Sequence, residues 1–495
     1  MKTANHLFLL VAGALALLLF RPITADAGSA TWKSSPATGD WNTATNWTPQ
    51  TVPNGPSDVA TFAISNQTAV SLSAQTEVNG ITFNSGASAF TITVPANTSG
   101  FTLNITGVGV TNDSGTTQTI VANEFYQGFV VPMIQFSGSA RAGGVMISYE
   151  VSHGAVLVFS GSSSAQNANF TADDGVVQFN DASTAGNAKF TLFGEDKENE
   201  GPSGTVNFAG SSSADNAVFT LQYGGTGSTL TFTDNSSGGT ATVIMLGAGD
   251  GSVYDAYLVL YDHDVSIGSL EGDGSVRIGN NRLTVGTNQR STTFSGVIGG
   301  TDLGSLRKVG SGTFTLAHPN LFGGGTTIGN GSLIATNKGG SATGSGPVQV
   351  NSGTLGGTGI ISGAVTVGNG TRTGAKLQPG IGTTAGTLTI NNTASFNPRS
   401  AFKCNVSRST TPLASKLKAL GVTIGTNVSF KLLETGTTAL SPGTVFTVIS
   451  NTSANPISGT FSNLPDGGTI TTSSGTTYKA NYSGGDGNNL TLTVQ

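Results

Sequence analysis

Charge is scarce in this 495-residue chain: only 9% of its residues are Asp, Glu, Lys or Arg, against about 25% in an ordinary soluble protein. The net charge of −5 is mild, and no stripe of Lys or Arg runs through the sequence, which argues against a nucleic-acid partner. Cysteine is reduced to Cys404 alone, so no intramolecular disulfide can form and the fold must rest on its core and its backbone ladders. That thiol reads as a small buried filler rather than a nucleophile. Histidine numbers four, and only His153, His263 and His318 lie beyond the first 27 residues. Common active-site motifs are missing too: there is no G-x-S-x-G elbow, H-E-x-x-H, C-x-x-C or Gly-Lys pair of a phosphate loop. Beyond the N-terminus no apolar run is long enough to span a membrane.

Against these absences stand 72 glycines and 25 phenylalanines. Low charge with so many aromatics opposes disorder, which goes with high charge and few aromatics. The N-terminus reads as an export signal: Lys2, then apolar Leu7–Phe20, then Ala25-Asp26-Ala27 as a small-x-small cleavage site. The expectation is cleavage after Ala27 and an exported chain, extracellular or attached to a cell surface.

Repetition follows. Between residues 136 and 245 a phenylalanine recurs before a small-polar turn, at Phe136, Phe159, Phe179, Phe208 and Phe232, with spacings of 23, 20, 29 and 24 residues. Three copies continue into Asn-Ala-x-Phe-Thr, beginning at Asn167, Asn187 and Asn216. The longest interval contains ten extra residues, Glu195–Gly204, whose acidic part Glu195–Glu200 reads as a solvated protruding loop, with contact to a partner as the secondary role. A repeat of this length is one coil of a parallel β-helix, two or three short strands that stack on their equivalents in the next coil. A fixed Phe per coil predicts an interior aromatic ladder, and the recurring Asn an amide ladder at a turn. An antiparallel sandwich also has many short strands, but a motif recurring about every 20 residues favours stacked coils.

Residues 306–334 alternate apolar and polar positions between glycine turns, predicting strands at Thr313–Leu316, Thr326–Ile328 and Ser332–Ile334. Leu306, Lys308, Gly310, Gly312, Thr313, Thr315, Leu316, Asn320, Gly323, Gly324, Thr326, Thr327, Ile328, Gly331 and Leu333 follow a known pattern. With them the segment resembles the autotransporter-associated β-strand repeat. Phe322 stands where that repeat has Tyr, and Gly325 is an extra glycine. Gly459-Thr-Phe-Ser-Asn-Leu-Pro-Asp, the C-terminal Tyr482-Ser-Gly-Gly-Asp-Gly-Asn-Asn-Leu-Thr-Leu-Thr-Val, and the N-terminal Trp32, Gly39-Asp40-Trp41-Asn42 and Asn46-Trp47 resemble the same group. The resemblance implies an all-β, right-handed parallel β-helix (β-solenoid) of the bacterial passenger type. It extends to the passenger only, because no counterpart of the family's C-terminal translocator barrel is evident in the sequence. The expected organisation is a signal peptide over 1–27, an N-terminal capping region over 28–85, β-helix coils with Phe-led repeats over 86–290, the autotransporter-associated repeat region over 291–400 and a β-rich C-terminal region over 401–495.

The strongest chemical candidate is acidic: Asp250, Asp255, Asp262, Asp264, Glu271 and Asp273 crowd into one part of a charge-poor chain. Oxygen ligands from neighbouring coils suit Ca²⁺, making Asp250, Asp255, Asp262 and Asp264 a candidate calcium site, with no other cofactor indicated. Carboxylates beside Arg277 or Arg282 are also the parts of a β-helix polysaccharide lyase or hydrolase; the bland reading is that they are turn residues. Gly484–Asn489 has some likeness to a calcium-binding nonapeptide. Trp32, Trp41 and Trp47 either close the first coil or stack on sugars. Arg399, Lys403, Arg408, Lys416 and Lys418 flank an expected short helix, Leu413–Leu420, with anion binding as an alternative role. The expected function is a non-catalytic surface or extracellular β-helix serving adhesion, matrix or scaffolding, its partners extracellular polysaccharide or cell-surface components. The alternative is a carbohydrate-active enzyme using the acidic cluster near 250–282.

Overall fold

The strands are short because glycine turns interrupt the chain every few residues, and each strand alternates inward apolar with outward polar residues. Val176-Val177-Gln178-Phe179 shows the pattern, with Val177 and Phe179 buried. The computed structural model describes residues 28–96, 100–123, 130–194, 203–247 and 255–495. The export signal, most of Glu195–Gly204, and Asp250 lie outside them.

The chain winds as a parallel β-helix. Sheet I carries 13 strands, from Trp47–Thr48 and Ala30–Trp32 at one end to Val297–Gly300 at the other. Sheet II begins at Ala69–Ser71 and reaches Ser429–Thr435. Sheet III starts only at Val265–Ile267 and ends in the C-terminal strands. From Arg141 to Ser237 the third side of the coils is a single bridging residue, in the parallel series Arg141, Ser164, Thr184, Ser213 and Ser237. Pairing is parallel along the stack and turns antiparallel at the ends: Ala30–Trp32 with Trp47–Thr48, and Val445–Asn451, Asn489–Val494, Thr477–Gly484 and Thr469–Thr471 in succession. Among the described residues the one helical element is the 3-10 turn Ala44–Asn46.

The expected Phe ladder is present, and a second stands beside it. In sheet I, Phe136, Phe159, Phe179, Phe208 and Phe232 stack with ring centroids 4.9, 4.6, 4.6 and 5.1 Å apart. In sheet II, Tyr149, Phe170, Phe190 and Phe219 stack at 4.9, 4.8 and 4.8 Å. The two columns meet edge-on, at 5.9 Å between Phe179 and Phe190. At a corner Asn187 donates to Asn167 Oδ1 and Asn216 to Asn187 Oδ1, both at 3.1 Å, forming the amide ladder. These rungs are 20 and 29 residues apart in sequence. Register survives the difference because the extra residues fall in sequence between a sheet II strand, Lys189–Phe193, and the next sheet I strand, Thr205–Phe208, and both of these keep their pairing.

Residues 306–334 form the expected strands, Thr313–Leu316, Thr326–Ile328 and Ser332–Ala335. Gly331 is obligatory there: its φ is +65°, and a Cβ would fall 2.4 Å from the Gly310 and Gly312 carbonyl oxygens. The expected helix at Leu413–Leu420 is absent. That segment forms the strands Leu413–Ala414 and Lys416–Ile424. Its period is two, with Leu417 and Ala419 buried and Lys418 and Leu420 exposed, and pairing of Lys416–Ile424 with Thr387–Phe396 over eight residue pairs outweighs helix propensity.

Trp32, Trp41 and Trp47 close the first coil. Each is buried, and their rings pack together and on Phe62 at 4.9–6.0 Å. Their indole N–H groups donate to the carbonyls of Gln67, Pro53 and Trp41. No ring face is left to stack on a sugar.

Candidate functional site

The acidic residues near 255–273 lie on successive coils, where each carboxylate serves a backbone or side-chain partner. Asp255 is fully buried and accepts a 2.5 Å bond from Ser275 Oγ. Asp273 accepts from Gly247 N at 2.7 Å. These two bonds tie the chain on either side of 248–254 to the following coil.

Asp262 belongs to a corner ladder. Asp181 Oδ2 accepts from Gly161 N at 2.8 Å, Asp234 Oδ2 from Gly210 N at 2.8 Å, and Asp262 Oδ2 from Asp234 N at 3.3 Å. Asp181 and Asp234 adopt φ of +55° and +58°, the left-handed turn conformation that Asp tolerates. A bond with His263 Nδ1 at 3.1 Å holds the Asp262 carboxyl below its ordinary value. Asp264 turns to Arg282, with its carboxylate 2.7 Å from Nη2 and 2.7 Å from the Arg282 backbone N. Arg277 lies over the Tyr257 ring, 4.0 Å from its centroid. Asp255, Asp262 and Asp264 are therefore not brought together, and among the described residues no group of three or more His, Cys, Asp or Glu could hold a metal ion; Asp250 is outside those residues. His153, His263 and His318 sit at turns of different coils. Gly484–Asn489 is a hairpin turn, with Asn489 Nδ2 bonded to Asp486 Oδ1 at 2.6 Å.

The outer face of sheet II carries a shallow cleft lined by Ile244, Glu271, Ser291, Thr293, Thr313 and Thr315. Glu271 faces Arg290, with Nη2 3.7 Å from Oε1, and Arg290 Nη1 donates to Thr242 Oγ1 at 3.4 Å. Carboxylate, guanidinium and hydroxyls together give this face both hydrogen-bond donors and acceptors. Arg290 was not a sequence candidate, because it meets Glu271 only through the stacking of coils.

At the C-terminal end Glu434 gathers hydroxyl donors from Thr472, at 2.6 Å, and from Ser474 and Tyr478. Arg408 Nη1 lies 3.8 Å away. Burial pushes the Glu434 carboxyl up, but these hydroxyl bonds and the Arg408 charge together hold it below the usual range. The cluster fastens the terminal hairpin to sheet II.

The fold defines the class: a capped parallel β-solenoid with a polar exterior. No protein family matches the chain, and no curated protein matches its sequence. Among the described residues no helix is long and apolar enough to cross a membrane.

Proposed function

We propose that this chain is a non-catalytic, exported bacterial β-solenoid that presents long polar faces for adhesion, matrix building or scaffolding. The observation that carries the reading is the commitment of the acidic side chains: Asp255, Asp262, Asp264 and Asp273 bond neighbouring coils and so build the stack. The leader-like residues 1–27 support export, and the likeness of 306–334 to the autotransporter-associated repeat supports a passenger-type surface role.

Two measurements test this. Expression with and without residues 1–27 should place the intact chain on the surface or in the medium and keep the truncated chain inside. Purified 28–495 should release no reducing ends from a panel of polysaccharides. Depolymerisation that disappears in Asp262→Ala or Glu271→Gln would replace the scaffold by the carbohydrate-active enzyme.

A further inference from the structure

The charge of this chain is polarised. Residues 371–495 hold nine Lys and Arg against three Asp and Glu, while residues 1–370 hold 12 against 23. Stacking concentrates part of the basic excess. Lys403 lies directly opposite Lys431 in sheet II, and Lys376, paired with Ala401 on the preceding rung, sits diagonal to Lys403. On these strands the lysines alternate with buried Leu377, Phe402 and Phe430, so all three leave the same outer face. Burial first, then the like charges of Lys376 and Lys431, lower the Lys403 ammonium below its ordinary value. None of the three forms an ion pair among the described residues. The carboxylates described above, by contrast, are engaged within the chain.

We propose that Lys376, Lys403 and Lys431 form a binding site for a linear acidic polysaccharide running along the solenoid axis. Adjacent rungs are about 4.8 Å apart, so Lys403 and Lys431 line up along that axis while Lys376 lies one rung before and two residues to the side; the three make an oblique row rather than a pocket, which suits a polymer with repeated carboxylates. Thr354, opposite Lys376, and Ser429, opposite Ala401, add hydroxyl groups to the same face. The outward positions of these strands carry no aromatic side chain, so a single-stranded nucleic acid would find no stacking platform. The choice of a polysaccharide rests on the exported reading above; the lysine row itself does not.

The test uses the mature chain 28–495 on immobilised polygalacturonate, with dextran as the neutral polymer and single-stranded DNA as the competing polyanion. Binding to polygalacturonate and not dextran is expected, weakening with salt. The triple variant Lys376→Gln, Lys403→Gln, Lys431→Gln should lose at least about tenfold in affinity and flatten the logarithmic salt dependence by about two. Lys418→Gln, exposed on sheet III, should bind as the parent does. Should the triple variant melt abnormally, Lys431→Gln alone, at an exposed position, must still weaken binding. Unchanged affinity in these variants, or no binding to any polyanion, overturns the site; tighter binding to DNA than to polygalacturonate overturns the polysaccharide. Failure of the exported, non-catalytic reading would show separately, as retention inside the cell or cleavage of the polymer.

Discussion

Replacing Phe179 by alanine removes the central rung of the sheet I ladder. The ring is fully buried, stacked at 4.6 Å on both Phe159 and Phe208 and edge-on to Phe190 at 5.9 Å. A buried Phe→Ala change costs about 3–5 kcal/mol, and each aromatic pair contributes about 0.5–1.5 kcal/mol beyond its area. With three aromatic partners, Phe179→Ala belongs at the upper end. Phe232 stacks on Phe208 alone, at 5.1 Å, and its next rung is Leu260. Phe232→Ala should therefore cost about 1–2 kcal/mol less. Because a solenoid couples mainly nearest neighbours, the loss should be local. Hydrogen exchange should quicken over 156–222, while the coils beyond 300 stay protected. Gln178→Ala, on the outward side of the same strand, should lie within about 0.5 kcal/mol of the parent. Phe179→Asp should be worse than Phe179→Ala, since it buries an unpaired charge. If Phe179→Ala leaves melting and exchange unchanged, or Gln178→Ala does equal damage, the inward register of the ladder is wrong.

Three further outcomes follow from the same physics. Trp47→Ala should cost about 3–5 kcal/mol at the N-terminal coil, because the indole packs on Trp32, Trp41 and Phe62; unaltered protease resistance of residues 28–83 would contradict the capping role. Glu434 is held below its ordinary value, so its stabilisation is present above about pH 4.3 and is lost as pH falls through the lower folded value; Glu434→Gln should loosen the hairpin at neutral pH and flatten its acid sensitivity, read by exchange over 469–484, and an unaltered acid profile counts against the cluster. Burial lowers Lys308 from 10.5 to about 8. Across that window the unfolded chain keeps a proton the folded chain has shed, so stability should rise with pH; Lys308→Met should remove this rise, and a variant that retains it refutes the assignment.

The β-helix was legible in the sequence because its causes are local. Alternation at Thr313–Leu316, glycine at the turns and one Phe per coil define strands, corners and an inward face without knowledge of partners. The second ladder was also written there, in the repeated Phe-Thr pairs at Phe170, Phe190 and Phe219, but its meaning depended on a perpendicular neighbour. Leu413–Leu420 misled because a short segment of mixed charge and leucine fits a helix until the adjacent strand Thr387–Phe396 offers its backbone. The acidic residues show a related effect: closeness in sequence places Asp262 and Asp264 side by side, yet one bonds the coil before it and the other the coil after.

The sequence by itself determined that this chain stacks β-coils and which residues face its core, since period, turn chemistry and repeat length are properties of a few consecutive residues. Only the tertiary structure decided which outward groups meet. Coil lengths vary, so the rung opposite Lys403 holds Lys431, Glu271 finds Arg290 and Asp262 reaches Asp234. Such pairings follow from the register of whole coils, which no local stretch of sequence specifies.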